Sequence, residues 1–252
     1  MNSGAPIDHP GAWRAAQLGG RNDWQLHLTP QELAELEAVM VATEGVALED
    51  LTAERFHLPI LRTRLAAVQD SLENGSGATL IRGIHLEHYD EDQCRRLFWG
   101  LALHIGTPVS QSAECEKIFS VRDEAFAADD PRTRGPNTNR GLSFHTDRCD
   151  VIAFFCLREA KSGGDNQVVS SMAVYNEILE RRPDLISVLE QPFFYKRHNV
   201  DLGNDSPFCE QPIFTFERGK FASAFLRVLI ERAHGSPEVA DLSPQQREAL
   251  DF

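Results

Sequence analysis

Residues 142–149, LSFHTDRC, alternate in character; residues 151–157, VIAFFCL, form a continuous apolar run; Gly163 and Gly164 then lead into NQVVSS at 166–171. Alternation of period two marks a half-buried strand, and a short apolar run bounded by turn residues suits a fully buried one. In a strand, residues i and i+2 project from the same face, so His145 and Asp147 share a side while Phe144 and Thr146 point the other way. Two such side chains start roughly 6–7 Å apart along the strand, close enough to clasp one ion.

His-x-Asp/Glu is a weak pattern by itself, and it occurs three times: His85-Leu86-Glu87, His88-Tyr89-Asp90 and His145-Thr146-Asp147. The first two lie in a polar connection, where Asp90 is better read as a helix N-cap and the histidines as solvated loop residues. The third lies in the alternating segment. Taken from the residues alone, two readings of it stay open: two ligands of a 2-His-1-carboxylate metal site, or a histidine paired with a nearby carboxylate at a strand end.

The rest of the chain divides into helices first and short strands afterwards. PQELAELEAVMV at 30–41 follows Thr29 as N-cap, and 58–74 repeats apolar residues at helical spacing up to Gly75. ATLIRGI at 78–84 reads as a strand, and Asp90 opens a helix through 106 with Gln93 at the capping-box distance. KIFSVRDE at 117–124 reads as a strand. The stretch 127–141 has no periodicity and reads as a loop, a candidate lid in which Arg132, Arg134 and Arg140 either meet an anionic group or offset an acidic surface. PIFTF and FASAFL flank the turn ERGK at 217–220, a hairpin with Gly219 at its flexible position. Helices near 172–181 and 244–251 complete the pass. This order predicts an α+β chain with antiparallel strands in a sandwich or jelly roll rather than a parallel sheet.

The bulk properties exclude several classes. With 252 residues, 42% of them hydrophobic and 25% charged, one soluble domain over 1–252 is expected. Its 25 basic and 38 acidic residues give a net charge of −13, which repels a phosphate backbone, so nucleic acid is not expected as a partner. No apolar run approaches the ~20 residues of a membrane span, and the polar N-terminus lacks signal-peptide order, so a cytoplasmic location is expected. Five scattered cysteines without a CxxC pair read as free thiols; softness and strand geometry disfavour Cys149 as a ligand beside Asp147. Neither a G-x-G-x-x-G nor a P-loop is present.

These residues resemble a known family. SFHTD, the buried strand and KSGGDNQVVSSMAVYNEIL are similar to the Fe(II)- and 2-oxoglutarate-dependent oxygenases of the taurine dioxygenase/clavaminate synthase-like superfamily. HPGAW, RNDW, FHLPIL, TLIRGI, WGLALHIGTPVSQS and VRDE fit the same pattern, so the resemblance covers nearly the whole chain. It implies a double-stranded β-helix (jelly roll) core with flanking helices. It also implies Fe(II) at His145 and Asp147, 2-oxoglutarate as cosubstrate, and O2 and a small organic molecule as reactants, with succinate and CO2 as coproducts. Asp at 147 resembles the hydroxylases rather than the halogenase variants. Asn166 stands where many members place a threonine that contacts 2-oxoglutarate; it reads either as that donor or as a plain turn residue. Gln111, Ser112, Arg122 and Arg140 are the expected substrate contacts.

The family pattern continues beyond the part resembling LSPQQREALDF at 242–252, with a strand bearing a distal histidine and then an arginine for 2-oxoglutarate. The sequence stops before either, so the domain is expected to be C-terminally incomplete, and His198 does not match the distal position. Two rival classes remain: a non-catalytic jelly-roll binding or scaffold protein, and a cupin-type metalloenzyme that does not use 2-oxoglutarate.

Overall fold

The computed structural model describes residues 1, 3–111, 115–126, 137–197 and 205–252. In chain order the elements are α1 (Ala15–Gly19), β1 (Gln25–His27), α2 (Pro30–Ala42), α3 (Arg62–Asn74), β2 (Leu80–Arg82), α4 (Glu91–Leu103), α5 (Ser171–Arg181) and α6 (Pro183–Leu189). They continue with β3 (Pro192–Lys196), β4 (Phe208–Pro212), β5 (Phe214–Glu217), β6 (Lys220–Ser223), α7 (Arg227–His234) and α8 (Pro244–Asp251). None of the described helices is long and apolar enough to cross a membrane.

The described residues group into two compact units. The helical unit comprises Arg21–Leu142 and Val151–Gln167. Helices α2 and α4 start where side chains satisfy their first free amides. Thr29 accepts a hydrogen bond from the Glu32 amide at 3.3 Å while the Glu32 carboxylate accepts from the Thr29 amide at 2.7 Å. Asp90 and Gln93 make the same reciprocal box at the start of α4, at 2.8 and 2.9 Å, as the spacing predicts. The apolar faces meet in a core of Leu36, Phe56, Leu58, Leu61, Leu65 and Leu97, each almost fully buried. Gly100 on α4 lets the helix backbone lie against the Phe56 ring: a Cβ at Gly100 would stand 2.4 Å from that ring.

The strand 80–82 forms where ATLIRGI predicts it, but it pairs in parallel with β1, Gln25 opposite Leu80, instead of joining an antiparallel sheet. The physical reason is connectivity: the chain between the two strands runs through α2 and α3, and a crossover of that length returns a strand in the same direction.

The mixed unit comprises Met1–Gly20, Ser143–Asp150 and Val168–Phe252. Its core is a cluster around Tyr175, Leu185, Phe193, Tyr195, Phe214 and Ile230. Strands β3 and β4 pair antiparallel with Tyr195 opposite Cys209. Strands β5 and β6 form the hairpin anticipated around ERGK, with Glu217 opposite Lys220. Its turn residues Arg218 and Gly219 both have positive φ, 51° and 77°, the combination that matches the right-handed twist of the flanking strands. The helix near 172–181 forms as α5, capped by Ser170, and that near 244–251 as α8, capped by Ser243.

Three expectations change. Among the described residues the strands make three two-stranded sheets, and 117–124, 142–149 and 151–157 join none of them. A strand exists only through a hydrogen-bonded neighbour, and apolar alternation by itself does not supply one; Ile152 and Phe154 are correspondingly exposed, at 52% and 64%. The helix read from 58 begins at Arg62 because 58–61 form a turn that buries Leu58 and Leu61. Strands β3 and β4 and helices α6 and α7 were not anticipated; their apolar residues are too interleaved with polar ones for a clear period.

Candidate metal centre

The segment Ser143–Asp150 lies in the mixed unit and carries both side chains singled out by the His-x-Asp pattern. It is tied to that unit by the residue between them: the Thr146 amide donates to the Phe225 carbonyl at 2.7 Å, and the Phe225 amide donates to Thr146 Oγ1 at 2.8 Å. Thr146 is thereby part-buried, while His145 and Asp147 on either side of it are exposed and approach each other. Their closest approach, Nε2 to Oδ1, is 3.9 Å. The two side chains expected to share a side do approach each other, although the segment makes no ladder among the described residues.

The donor set fits a metal ion on two counts. His145 Nδ1 lies 2.7 Å from the Ser143 carbonyl oxygen. A carbonyl only accepts, so Nδ1 carries a proton, and Nε2 is the ring nitrogen that faces Asp147 and would coordinate an ion. A second hydrogen bond that fixes tautomer and ring orientation is the usual support for a ligating histidine. The 3.9 Å separation is too long for a hydrogen bond; ligands at adjacent octahedral positions stand about 3.0 Å apart, so the two side chains would draw together to share an ion. Among the described residues no group of three His, Cys, Asp or Glu side chains converges to hold a metal. Desolvation, with the Asp147 and Asp150 carboxylates, pushes the Cys149 thiol above its ordinary range, so the residue stands beside the pair as a neutral thiol.

The other His-x-acid sequences are placed as solvated residues. His85 and His88 sit in and beside a 3-10 turn, their rings 5.6 Å apart, and Asp90 is engaged as the α4 cap. His104 ends α4 and its Nε2 bonds the Phe56 carbonyl at 2.8 Å, a packed role.

The remaining predicted site residues are scattered. Asn166 is an exposed residue of the helical unit, just past the Gly163–Gly164 turn. Gln111 is exposed and folds its amide onto the Val109 carbonyl at 3.1 Å. The Arg122 guanidinium is engaged by Glu91 at 3.1 Å and lies 3.7 Å from Glu124. Arg140 is exposed, its amide donating to Thr138 Oγ1 at 3.4 Å. Ser112, Arg132, Arg134 and His198 lie outside the described residues. The cysteines at 94, 115, 149, 156 and 209 are free, and Cys94 is buried.

Sequence reasoning missed Arg148, whose Nη2 donates to Cys209 Sγ at 3.1 Å and whose guanidinium lies 5.8 Å from the Tyr195 ring centre. It also missed Tyr195, which donates from its hydroxyl to the Ala224 carbonyl at 2.6 Å. The alternation already put Arg148 on the Thr146 side, but its partners come from strands far along the chain.

Residues 43–252 match the family described as taurine catabolism dioxygenase TauD, TfdA family. The chain belongs to this family, whose enzymes use Fe(II) and 2-oxoglutarate. Among its relatives is FR-33289 synthase of Streptomyces rubellomurinus (strain ATCC 31215), 26% identical over 223 residues, which cover 87% of this chain and 66% of the relative. Another is the taurine hydroxylase-like protein SAT17 of Stachybotrys chartarum (strain CBS 109288 / IBT 7711), 27% identical over 253 residues, or 95% of this chain and 64% of the relative. The chain thus spans just under two thirds of the length of these relatives.

Proposed function

We propose that this protein is an Fe(II)- and 2-oxoglutarate-dependent dioxygenase that oxidises, by hydroxylation, a small organic substrate and releases succinate and CO2. The observation that carries this reading is the free Nε2 of His145 facing the Asp147 carboxylate at 3.9 Å, on a segment where the sequence follows the family's His-x-Asp pattern. His145 and Asp147 would hold the metal through one nitrogen and one oxygen, two of the three positions of a facial triad that leaves the opposite face open. Bound there, iron supplies the Lewis-acid and one-electron chemistry that couples keto-acid decarboxylation to oxygen activation.

The protein's own share is positional. Ser143 fixes the imidazole tautomer through its carbonyl, and Asp147 supplies the anionic donor. Asn166 is assigned to the 2-oxoglutarate carboxylate as an amide donor, and Gln111, Ser112, Arg122 and Arg140 to the substrate side. In this reading residues 1–252 belong to one oxygenase domain with the family's jelly-roll core.

The test is anaerobic addition of Fe(II) and 2-oxoglutarate to the protein. A weak visible charge-transfer band, succinate release on admitting air, and loss of both in His145→Ala and Asp147→Ala are the expected results. Binding of 2-oxoglutarate without metal dependence favours a scaffold, and oxygen consumption without succinate favours a cupin-type enzyme; either outcome overturns the proposal.

A further inference from the structure

Residues 146 and 148 alternate with the proposed ligands, and both are tied to the framework of the mixed unit. Thr146 is held twice by Phe225, through its amide at 2.7 Å and through its hydroxyl oxygen at 2.8 Å. Arg148 is held by a pair of residues that face each other across β3 and β4: it donates to Cys209 Sγ and lies over the ring of Tyr195. The two anchors are themselves joined. Tyr195 donates to the carbonyl of Ala224, the residue before Phe225, at 2.6 Å. The Ala224 amide in turn donates to the Ile213 carbonyl at 2.9 Å, at the edge of β5.

We infer that Thr146, Arg148 and Tyr195 are positioning residues that set the separation and direction of His145 and Asp147. The inference rests on the metal-binding reading of that pair. Asp147 lies between two tethered residues, which limits how far the backbone can carry its carboxylate away, and His145 is bounded by Thr146 on one side and by the Ser143 carbonyl on the other. Tyr195 is 1% exposed, and its buried hydroxyl donates to the Ala224 carbonyl and is also engaged by the Gln211 side chain. The arrangement puts a buried phenol and a part-buried threonine behind a half-exposed ligand pair, the kind of support that a metal site on an irregular segment needs. A merely structural role predicts a different result, because loosening the segment would lower stability and leave the affinity of the ligand pair for a metal unchanged.

The readout is Co(II) affinity of the protein under anaerobic conditions, followed by its visible absorption, with thermal melting measured on the same samples. Thr146→Val keeps the side-chain shape and removes the acceptor for the Phe225 amide; Thr146→Ser keeps that acceptor. Arg148→Met removes the donor but keeps a stem over Tyr195, and Tyr195→Phe removes only the hydroxyl. The expected outcome is a Co(II) dissociation constant raised roughly 10–100-fold in Thr146→Val and Arg148→Met, less in Tyr195→Phe, and near the parent value in Thr146→Ser. Parent-like Co(II) affinity in Thr146→Val, Arg148→Met and Tyr195→Phe overturns the inference, whatever their melting temperatures; should Thr146→Val not fold, the other two decide. His145→Ala separates the two claims. If it binds Co(II) as the parent does, the metal-binding reading itself is wrong and the inference goes with it; if it loses binding while the three positioning variants keep it, only the inference fails.

Discussion

The carboxylate of Glu32, 3% exposed, accepts a hydrogen bond from the guanidinium of Arg64 at 2.5 Å across the core of the helical unit. Burial pushes the Glu32 carboxyl up, but the Thr29 amide, Arg64 and the Thr29 hydroxyl outweigh it and hold the group below its ordinary value. A carboxyl depressed by folding stabilises the protein above its unfolded value, ~4.3, and loses that contribution as pH falls through the lower folded value. Glu32→Gln keeps an acceptor for Thr29 and loses the charge. Its denaturation midpoint is expected to fall by an amount equivalent to about 1–3 kcal/mol at neutral pH. The gap to the parent should close in acid, and a gap of constant size from pH 7 to pH 3 contradicts the assignment.

Gly100 tests the packing of the same unit. Alanine at an exposed helix position stabilises by ~0.5–1 kcal/mol over glycine, but here the new Cβ meets the Phe56 ring at 2.4 Å. Overpacking decides the sign, and Gly100→Ala is expected to destabilise by about 1–3 kcal/mol. In a Phe56→Leu background Gly100→Ala should cost less than in the parent, a non-additive cycle readable by thermal melting.

At the β5–β6 turn, Arg218 occupies a left-handed conformation at φ 51°, which side chains other than Gly, Asn and Asp adopt at a cost. Its nearest carboxylate, Glu217 at 3.5 Å, is solvent-exposed and contributes little. Arg218→Asn gives the Asn-Gly pair that this turn favours and should raise stability by roughly 0.5–1 kcal/mol, whereas Gly219→Ala should lower it.

The assignment of Asn166 makes a kinetic prediction. Removing an amide donor to a carboxylate loses a charge-assisted hydrogen bond, so Asn166→Ala is expected to raise the KM for 2-oxoglutarate roughly tenfold with little change in kcat. Asn166→Thr should restore it. An unchanged KM in the alanine variant returns Asn166 to the role of a turn residue.

The sequence by itself determined the elements whose causes are local. The capping boxes at Thr29 and Asp90, the helical periods of α2 and α4 and the turn chemistry at Arg218–Gly219 act within a few residues, and each forms at the position its residues indicate. It also indicated that His145 and Asp147 come together, and the two do approach to 3.9 Å. The ordered matches along the chain carried the family. Only the tertiary structure decided the pairings, since a hydrogen-bonded neighbour is supplied from elsewhere in the chain: β1 found β2 in parallel, β3 found β4, and 151–157 found no ladder. It alone decided that Nδ1 of His145 is taken by Ser143, and that Thr146 and Arg148 are held by Phe225, Cys209 and Tyr195. The contacts of Thr146 and Arg148 join residues tens of positions apart, and their energy appears only when packing fixes one geometry among many.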